Sequence, residues 1–445
     1  MSMLLLGLIL LIVLLALGVP VVWTFLGVAV FLVLSLGYDP NFLLPYGFSQ
    51  LNSTLLLAIP MFIIAGKLIE KGGVGDVIVK WAEVLLGRIT GGLGVASVLA
   101  CAIFGSISGS ALAALSTIGS IMFGKLHRAG YPRGFAAALL ANASILGLLI
   151  PPSGIMILYA WLANVSVLAT FLSTLLPGII LTVLLSVFTL VYMRADLRQQ
   201  VKAGTKGRAV LEPVPAKQLA RTFGKRTVTG IPALLLPVII LGGIYSGILT
   251  TVEAAVVAAI YTIPLGLWVY RELKVRDLKD VLVEGAATTG VVMIMAYSMM
   301  VLSRIFTMER LPDAISSVLL SISEQPVIIL LMINLFIVIL GMLIDDVSGV
   351  LLVTPILLPV AVGIGVDPIH FAAIVGVNLG MANITPPTAP LLYFGSQLGR
   401  APINEMMKPT LLMIAVGWIP TLGLTTFVPE LSLWLPELVL GYTPQ

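Results

Sequence analysis

The sequence predicts an all-α polytopic membrane protein, built as inverted repeats with two re-entrant helical hairpins and two discontinuous helices. Three observations carry this. Of 445 residues, 59% are hydrophobic and 10% charged, where a soluble domain carries about 25% charged residues. Apolar windows recur at the length a membrane span requires. One interrupted apolar stretch also occurs twice, from Ser108-Gly109 to Pro151-Pro152-Ser153 and from Ser348-Gly349 to Pro386-Pro387-Thr388.

With Pro132 set on Pro368, Phe135-Ala136-Ala137 falls on Phe371-Ala372-Ala373 and Asn142 falls on Asn378. The double prolines follow 19 residues on in one copy and 18 in the other. A helix interrupted in hydrocarbon exposes backbone groups that something must satisfy. Paired interruptions in the two halves of a membrane protein point to a transporter's binding site.

In chain order, the first 36 residues carry no charge. They lack the basic start and small-residue cleavage site of a signal peptide, so a retained span is expected. Spans are expected near 3–18, 20–37 and 54–66. Lys67, Glu70, Lys71, Asp76, Lys80, Glu83 and Arg88 then suggest an amphipathic helix at the interface. The stretch 95–123 breaks at Gly105-Ser106-Ile107-Ser108-Gly109-Ser110, with arms of about a dozen residues, too short to cross about 30 Å of hydrocarbon. A re-entrant hairpin is expected there. Residues 134–165 form a helix broken at Pro151-Pro152-Ser153, and 171–193 a full span.

The loop 194–226 holds Arg194, Arg198, Lys202, Lys206, Arg208, Lys217, Arg221, Lys225 and Arg226 against Asp196 and Glu212. The positive-inside rule puts it in the cytoplasm. Spans follow near 230–248, 252–270 and 283–302, then a second interfacial segment with Arg304, Glu309, Arg310 and Asp313. A second hairpin covers 327–363, broken at Asp345-Asp346-Val347-Ser348-Gly349. A broken helix covers 371–399, and a last span 410–428 precedes an acidic tail expected outside. Counting crossings from the basic loop, the first hairpin enters from the cytoplasm and the second from the opposite face.

The residues at the breaks suit ions. Half-helix N-termini present N–H groups to an anion, while unwound carbonyls and C-terminal ends hold a cation such as Na⁺. Ser106, Ser108, Ser110, Ser153, Ser348, Thr385 and Thr388 offer neutral oxygens. Asn142, Asn378 and Asn383 add amide oxygens, and Gly109 and Gly349 allow sharp turns. Asp345 and Asp346 are the carboxylates at the hairpin tips; an ionisable group in a membrane segment implies function, although caps at the outer water interface would need the same residues. Hard oxygen donors suit Na⁺ better than a transition metal. Arg304 is either an anion contact or an interfacial anchor. Glu253 is read as near-interface, His127 and His370 as loop residues, and the methionines 293, 295, 299 and 300 as packing. One cysteine, Cys101, excludes a disulfide framework. The net charge of +4 fits loops on an anionic leaflet rather than nucleic acid.

Taken together, Ser106-Ile107-Ser108-Gly109-Ser110-Ala111, Gly130-Tyr131-Pro132, Ile150-Pro151-Pro152-Ser153, Asp345, Thr354-Pro355, Leu358-Pro359, Asp367-Pro368, His370-Phe371, Asn378-Leu379 and Thr385-Pro386-Pro387 resemble the large membrane subunit of a tripartite ATP-independent periplasmic (TRAP) transporter. The resemblance covers nearly the whole chain. The sequence departs at Thr251-Val252, where the family usually has Pro-Thr, at Gly147-Leu148 in place of Gly-Pro, and at Asp346, where Pro is common.

The resemblance implies an elevator-type fold like that of the ion-transporter superfamily, in a bacterial inner membrane. It implies two partners, a small four-helix membrane subunit and a periplasmic substrate-binding protein, and import of a carboxylate such as a dicarboxylate or sialic acid on a Na⁺ gradient. No other cofactor and no enzyme activity are expected. The divisions are a frame (1–94 and 171–324), a transport domain (95–170 and 325–400), and a last span with tail (401–445), its end periplasmic. Ser106, Ser110, Ser153, Thr388 and Arg304 are the expected substrate contacts. Ser108, Gly109, Asn142, Asp345, Ser348, Gly349, Asn383 and Thr385 are the expected Na⁺ ligands. Alternatives are a stand-alone Na⁺- or H⁺-coupled anion transporter of the same wider fold and, remotely, an intramembrane protease.

Overall fold

The computed structural model describes residues 2–39, 41, 43–86, 89–202 and 216–444. Every regular element among them is helical. Six helices are long and apolar enough to cross a membrane, and two further bent pairs qualify if each counts as one span.

The chain begins with α1 (Ser2–Ala16) and α2 (Val21–Leu36), packed on each other. The short α3 (Leu43–Leu51), which the sequence reading missed, bends by 60° into a continuous helix, Thr54–Lys71, whose main part is α4 (Ala58–Lys71). Lys67, Glu70 and Lys71 therefore end a membrane helix rather than starting an interfacial one. The amphipathic helix is the shorter α5 (Val74–Leu86), and Arg88 lies outside the described residues.

The first hairpin is α6 (Gly92–Ser108) and α7 (Ala111–Arg128). Its arms have 17 and 18 residues, about 26 Å at the α-helical rise, not the dozen expected. The break is also tighter than expected. Helix α6 continues through Ser106 and Ser108 and turns at Gly109, whose φ of 63° is a conformation glycine adopts without strain. Ser110 caps α7 by accepting from the Ala113 N–H. Lys125, His127 and Arg128 close its last turn, where cations suit the helix dipole.

The first broken helix is α8 (Arg133–Ser144), α9 (Leu146–Leu149) and α10 (Gly154–Ala163). The interruption spans Ile150–Ser153, as the double proline predicts. Two long helices follow, α11 (Val167–Lys202) and α12 (Ala216–Tyr245). They shorten the expected loop 194–226 from both ends; Lys206, Arg208 and Glu212 fall outside the described residues. A capping box between Thr250 and Glu253 starts α13 (Thr251–Pro264), which continues as a π-helical turn to Val269. Then come α14 (Val275–Met308), which takes in Arg304, and the shorter α15 (Leu311–Ile322).

The second hairpin is α16 (Pro326–Gly341) and α17 (Asp346–Gly363). Its break is Met342–Asp345, earlier than expected, so Ser348 and Gly349 lie inside the first turns of α17. The second broken helix is α18 (Pro368–Ala382) and α19 (Pro390–Gly399). Asp367 caps α18 by accepting from the Ile369 N–H at 2.7 Å. His370 is not a loop residue: it is buried in α18, with Nε2 2.7 Å from the Thr425 carbonyl. The last span joins α20 (Ile403–Met413), a π-helical turn and α21 (Ile419–Phe427). The expected tail is a further helix, α22 (Glu430–Leu440), lying along α11.

The packing sorts the helices. α13 and α14 hold α4, and α14 also holds α2 and α3. α8 is covered by α19 and α20, and α18 by α11, α16 and α17. Between the two groups run α4 against α6, α7 and α10, and α14 against α17.

Candidate functional site

The tip of the first hairpin is wedged among backbones. A methyl group placed on Gly105 would sit 2.4 Å from Cα of Gly147, and one on Gly66 of α4 would sit 3.1 Å from the Ser108 carbonyl oxygen. One on Gly109 would meet the Pro152 carbonyl at 2.8 Å. Small residues at these points let the tip rest on the break of the first broken helix. The Ser108 and Ser153 hydroxyl oxygens are buried there with no hydrogen-bond partner. A buried hydroxyl left unpaired costs about 1–3 kcal/mol.

A cavity of about 410 Å³ opens beside the tip. Ser108, Gly109 and Ser110 line it with Pro152 and Gly154, and α4 and α14 contribute Lys67, Glu70 and Glu284. Lys71 lies 2.9 Å and Lys67 3.4 Å from the Glu284 carboxylate. Glu70 accepts from the Ser116 hydroxyl of α7 at 2.9 Å. A second cavity of about 240 Å³ shares Ser110 and Leu112 with the first. Asp345, Asp346 and Asn383 line it. The Ser348 hydroxyl donates to Asp345 in a short contact.

The structure thus brings Ser108, Gly109 and Ser110 together with the first break, and Asp345 with Ser348 and Asn383. Other expected site residues lie elsewhere. The Ser106 hydroxyl donates back to the Ile103 carbonyl, and Thr385 to that of Met381. Asn142 donates to Ala138 and accepts from the Trp418 indole at 3.1 Å. Its repeat mate Asn378 donates to Asn334, while its own amide oxygen is buried without a partner. Gly349 packs against Leu379. Thr388 is exposed and lines neither cavity. Arg304 stacks its guanidinium over the Tyr46 ring, 5.1 Å from its centroid, and lines neither cavity.

Sequence reasoning missed Lys67, Glu70 and Glu284. Their signal was present: Lys67 and Lys71 stand one turn apart at the end of the apolar helix α4. For the serine form of the protease alternative, Ser108 and His370 are not paired: the His370 ring meets the Thr425 carbonyl and the Ser108 hydroxyl has no partner.

Hairpins abutting broken helices, with polar cavities at their tips, define a multi-pass membrane transporter. The same fold is found in the Alcanivorax borkumensis YdaH transporter, with a TM-score of 0.61 at 16% identity over 90% of this chain and 88% of that one. Residues 8–431 match the family model described as the tripartite ATP-independent periplasmic transporter, DctM component. The chain belongs to that family. It is 33% identical to the sialic acid TRAP transporter large permease protein SiaM of Vibrio cholerae, over 96% of both chains. It is 34% identical to the C4-dicarboxylate TRAP transporter large permease protein DctM of Pseudomonas aeruginosa, over 86% of each. It is a transport permease and not an enzyme.

Proposed function

We propose that this chain is the translocating subunit of a Na⁺-coupled importer of an organic anion. It works with a small four-helix membrane subunit and a periplasmic binding protein. The observation that carries this is the seat of the first hairpin tip, where two unpaired buried hydroxyls meet a broken helix beside a cavity. Ser108 and Ser153, with the nearby Pro152 carbonyl, form a neutral oxygen set suited to Na⁺. Asp345, Ser348 and Asn383 form a second, anionic set. The first turn of α7 offers backbone N–H groups to the transported anion. Relatives that carry sialic acid and C4-dicarboxylates by name support a carboxylate cargo.

The repeats are read as inverted, with loop 194–226 cytoplasmic and the chain end periplasmic, in a bacterial inner membrane. The moving body is 95–170 with 325–400. The packing of α11 on α6 and α18, and of α20 on α8, favours adding those helices to it. It slides against α4 and α14 in an elevator manner.

The test is uptake of labelled sialic acid, C4-dicarboxylates and sugar acids into proteoliposomes under an imposed Na⁺ gradient, with and without the two partners. Uptake that requires all three components and Na⁺ is expected. Uptake by this chain alone would move it to the stand-alone class, and uptake driven only by a proton gradient would overturn the ion assignment.

A further inference from the structure

Four charged groups, all on α4 and α14, sit at the mouth of the larger cavity, and they are not equivalent. Glu284 is shared by two lysines one helical turn apart. A single carboxylate neutralises one of them. Lys71, at 2.9 Å, is the closer, and it does not line the cavity. Lys67, at 3.4 Å, is the looser partner and does line it. Glu284 has 49% of its side chain exposed, against 25% for Lys67, so water holds the carboxylate when Lys67 lets go, and Lys71 remains to pair it. Glu70 accepts from the Ser116 hydroxyl and keeps its charge. Lys67 is the one cation among the described residues that line the cavity.

We infer that Lys67 receives the anionic head of the transported molecule, and that the cavity selects acids carrying one negative charge. This rests on the transport reading above. The start of α7 lines the same cavity, and its backbone N–H groups suit an anion. A second carboxylate finds no second cation: the remaining charged groups lining the two cavities are Glu70, Glu284, Asp345 and Asp346. Like charges repel it, and a Na⁺ held at the second hairpin offsets that only in part. Hydroxyls suit the rest of the molecule, because Ser110, Ser116 and Thr288 share the cavity. A volume of about 410 Å³ accepts a body of sugar-acid size.

The test is binding to the purified chain with its small subunit, in detergent and Na⁺, which bypasses the selectivity of the binding protein. Gluconate, lactate and N-acetylneuraminate are compared with succinate and fumarate. At least one monoanion is expected to bind about tenfold tighter than either dianion, and Lys67→Gln to weaken it by about tenfold or more, the scale of one lost charge-assisted hydrogen bond. Lys67→Arg keeps most of the affinity. Glu284→Gln, which removes a repelling charge, tightens succinate. Tighter binding of the dianions by the wild type, or no binding of any monoanion, overturns the inference, as does unchanged affinity in Lys67→Gln. If Lys67→Gln fails to assemble, the Glu284→Gln arm decides: weaker succinate binding overturns it. Na⁺-driven import of a dicarboxylate would sink this selectivity and leave the transport reading standing.

Discussion

The two hairpin tips carry the same Ser-Gly dipeptide and do different things with it. In the first, Gly109 is the turn itself and Ser108 is an unpaired hydroxyl at the end of the incoming arm. In the second, the turn comes earlier, Ser348 and Gly349 have been drawn into the outgoing helix, and Ser348 is spent on Asp345. The residues that correspond structurally are the caps, Ser110 for α7 and Asp345 for α17. One tip therefore offers neutral oxygens and backbone, and the other a fixed charge. A cation held at the first tip would rely on dipoles, whereas one at the second would neutralise a carboxylate. The repeated letters mark the two tips, not the chemistry each offers.

That difference orders the expected effects. Asp345→Asn removes the charge while keeping the size of the side chain, so Na⁺-driven uptake should fall by roughly 100-fold, the scale of losing a key cation partner. Uptake at saturating Na⁺ measures it, and unchanged Na⁺ dependence would erase the contrast between the tips. Gly109→Ala puts a methyl against the Pro152 carbonyl in a left-handed conformation, costing about 1–3 kcal/mol and unseating the tip. Its melting temperature in detergent should drop and uptake should fall with it. Gly349→Ala meets only the movable end of Leu379 within a helix, where alanine is favoured by about 1 kcal/mol over glycine; it should lose less stability than Gly109→Ala. Equal losses would mean that the two glycines share one role. Ser108→Ala should raise stability by about 1–3 kcal/mol, because it removes a buried hydroxyl with no protein partner, yet lower the apparent Na⁺ affinity. The smallest effect on transport is expected at the capping box: Thr250→Ala should cost about 1 kcal/mol of helix stability with uptake nearly unchanged.

Much of this was legible in the sequence, because hydrocarbon punishes irregular backbone. Pro151-Pro152 and Pro386-Pro387 could not sit in an unbroken membrane helix, so both broken helices were visible from those letters alone. The exact hairpin turns were not. A Ser-Gly dipeptide fits a turn or a helix interior equally well, and only the packing of Gly109 on Pro152 and of Gly349 on Leu379 separates them. Charged residues were read by their neighbours in sequence. Lys67 and Glu70 were assigned to an interface because charges followed them, but they stand in the closing turns of α4, which carries them to the cavity. His370 was read as a loop residue. Asp367 instead caps α18, Pro368 starts it, and its first turn is buried against α21. Arg304 has no sequence neighbour that reveals Tyr46, more than two hundred residues away.

The central claim is that the first hairpin slides past α4 while cargo crosses. Cysteines at Glu70 and Ser116, which hydrogen-bond across that boundary in this state, test it in a Cys101→Ala background. Bridging them with a short bifunctional thiol reagent should stop Na⁺-driven uptake in proteoliposomes, and cleaving the bridge should restore it. Full-rate uptake by bridged protein would contradict the sliding motion.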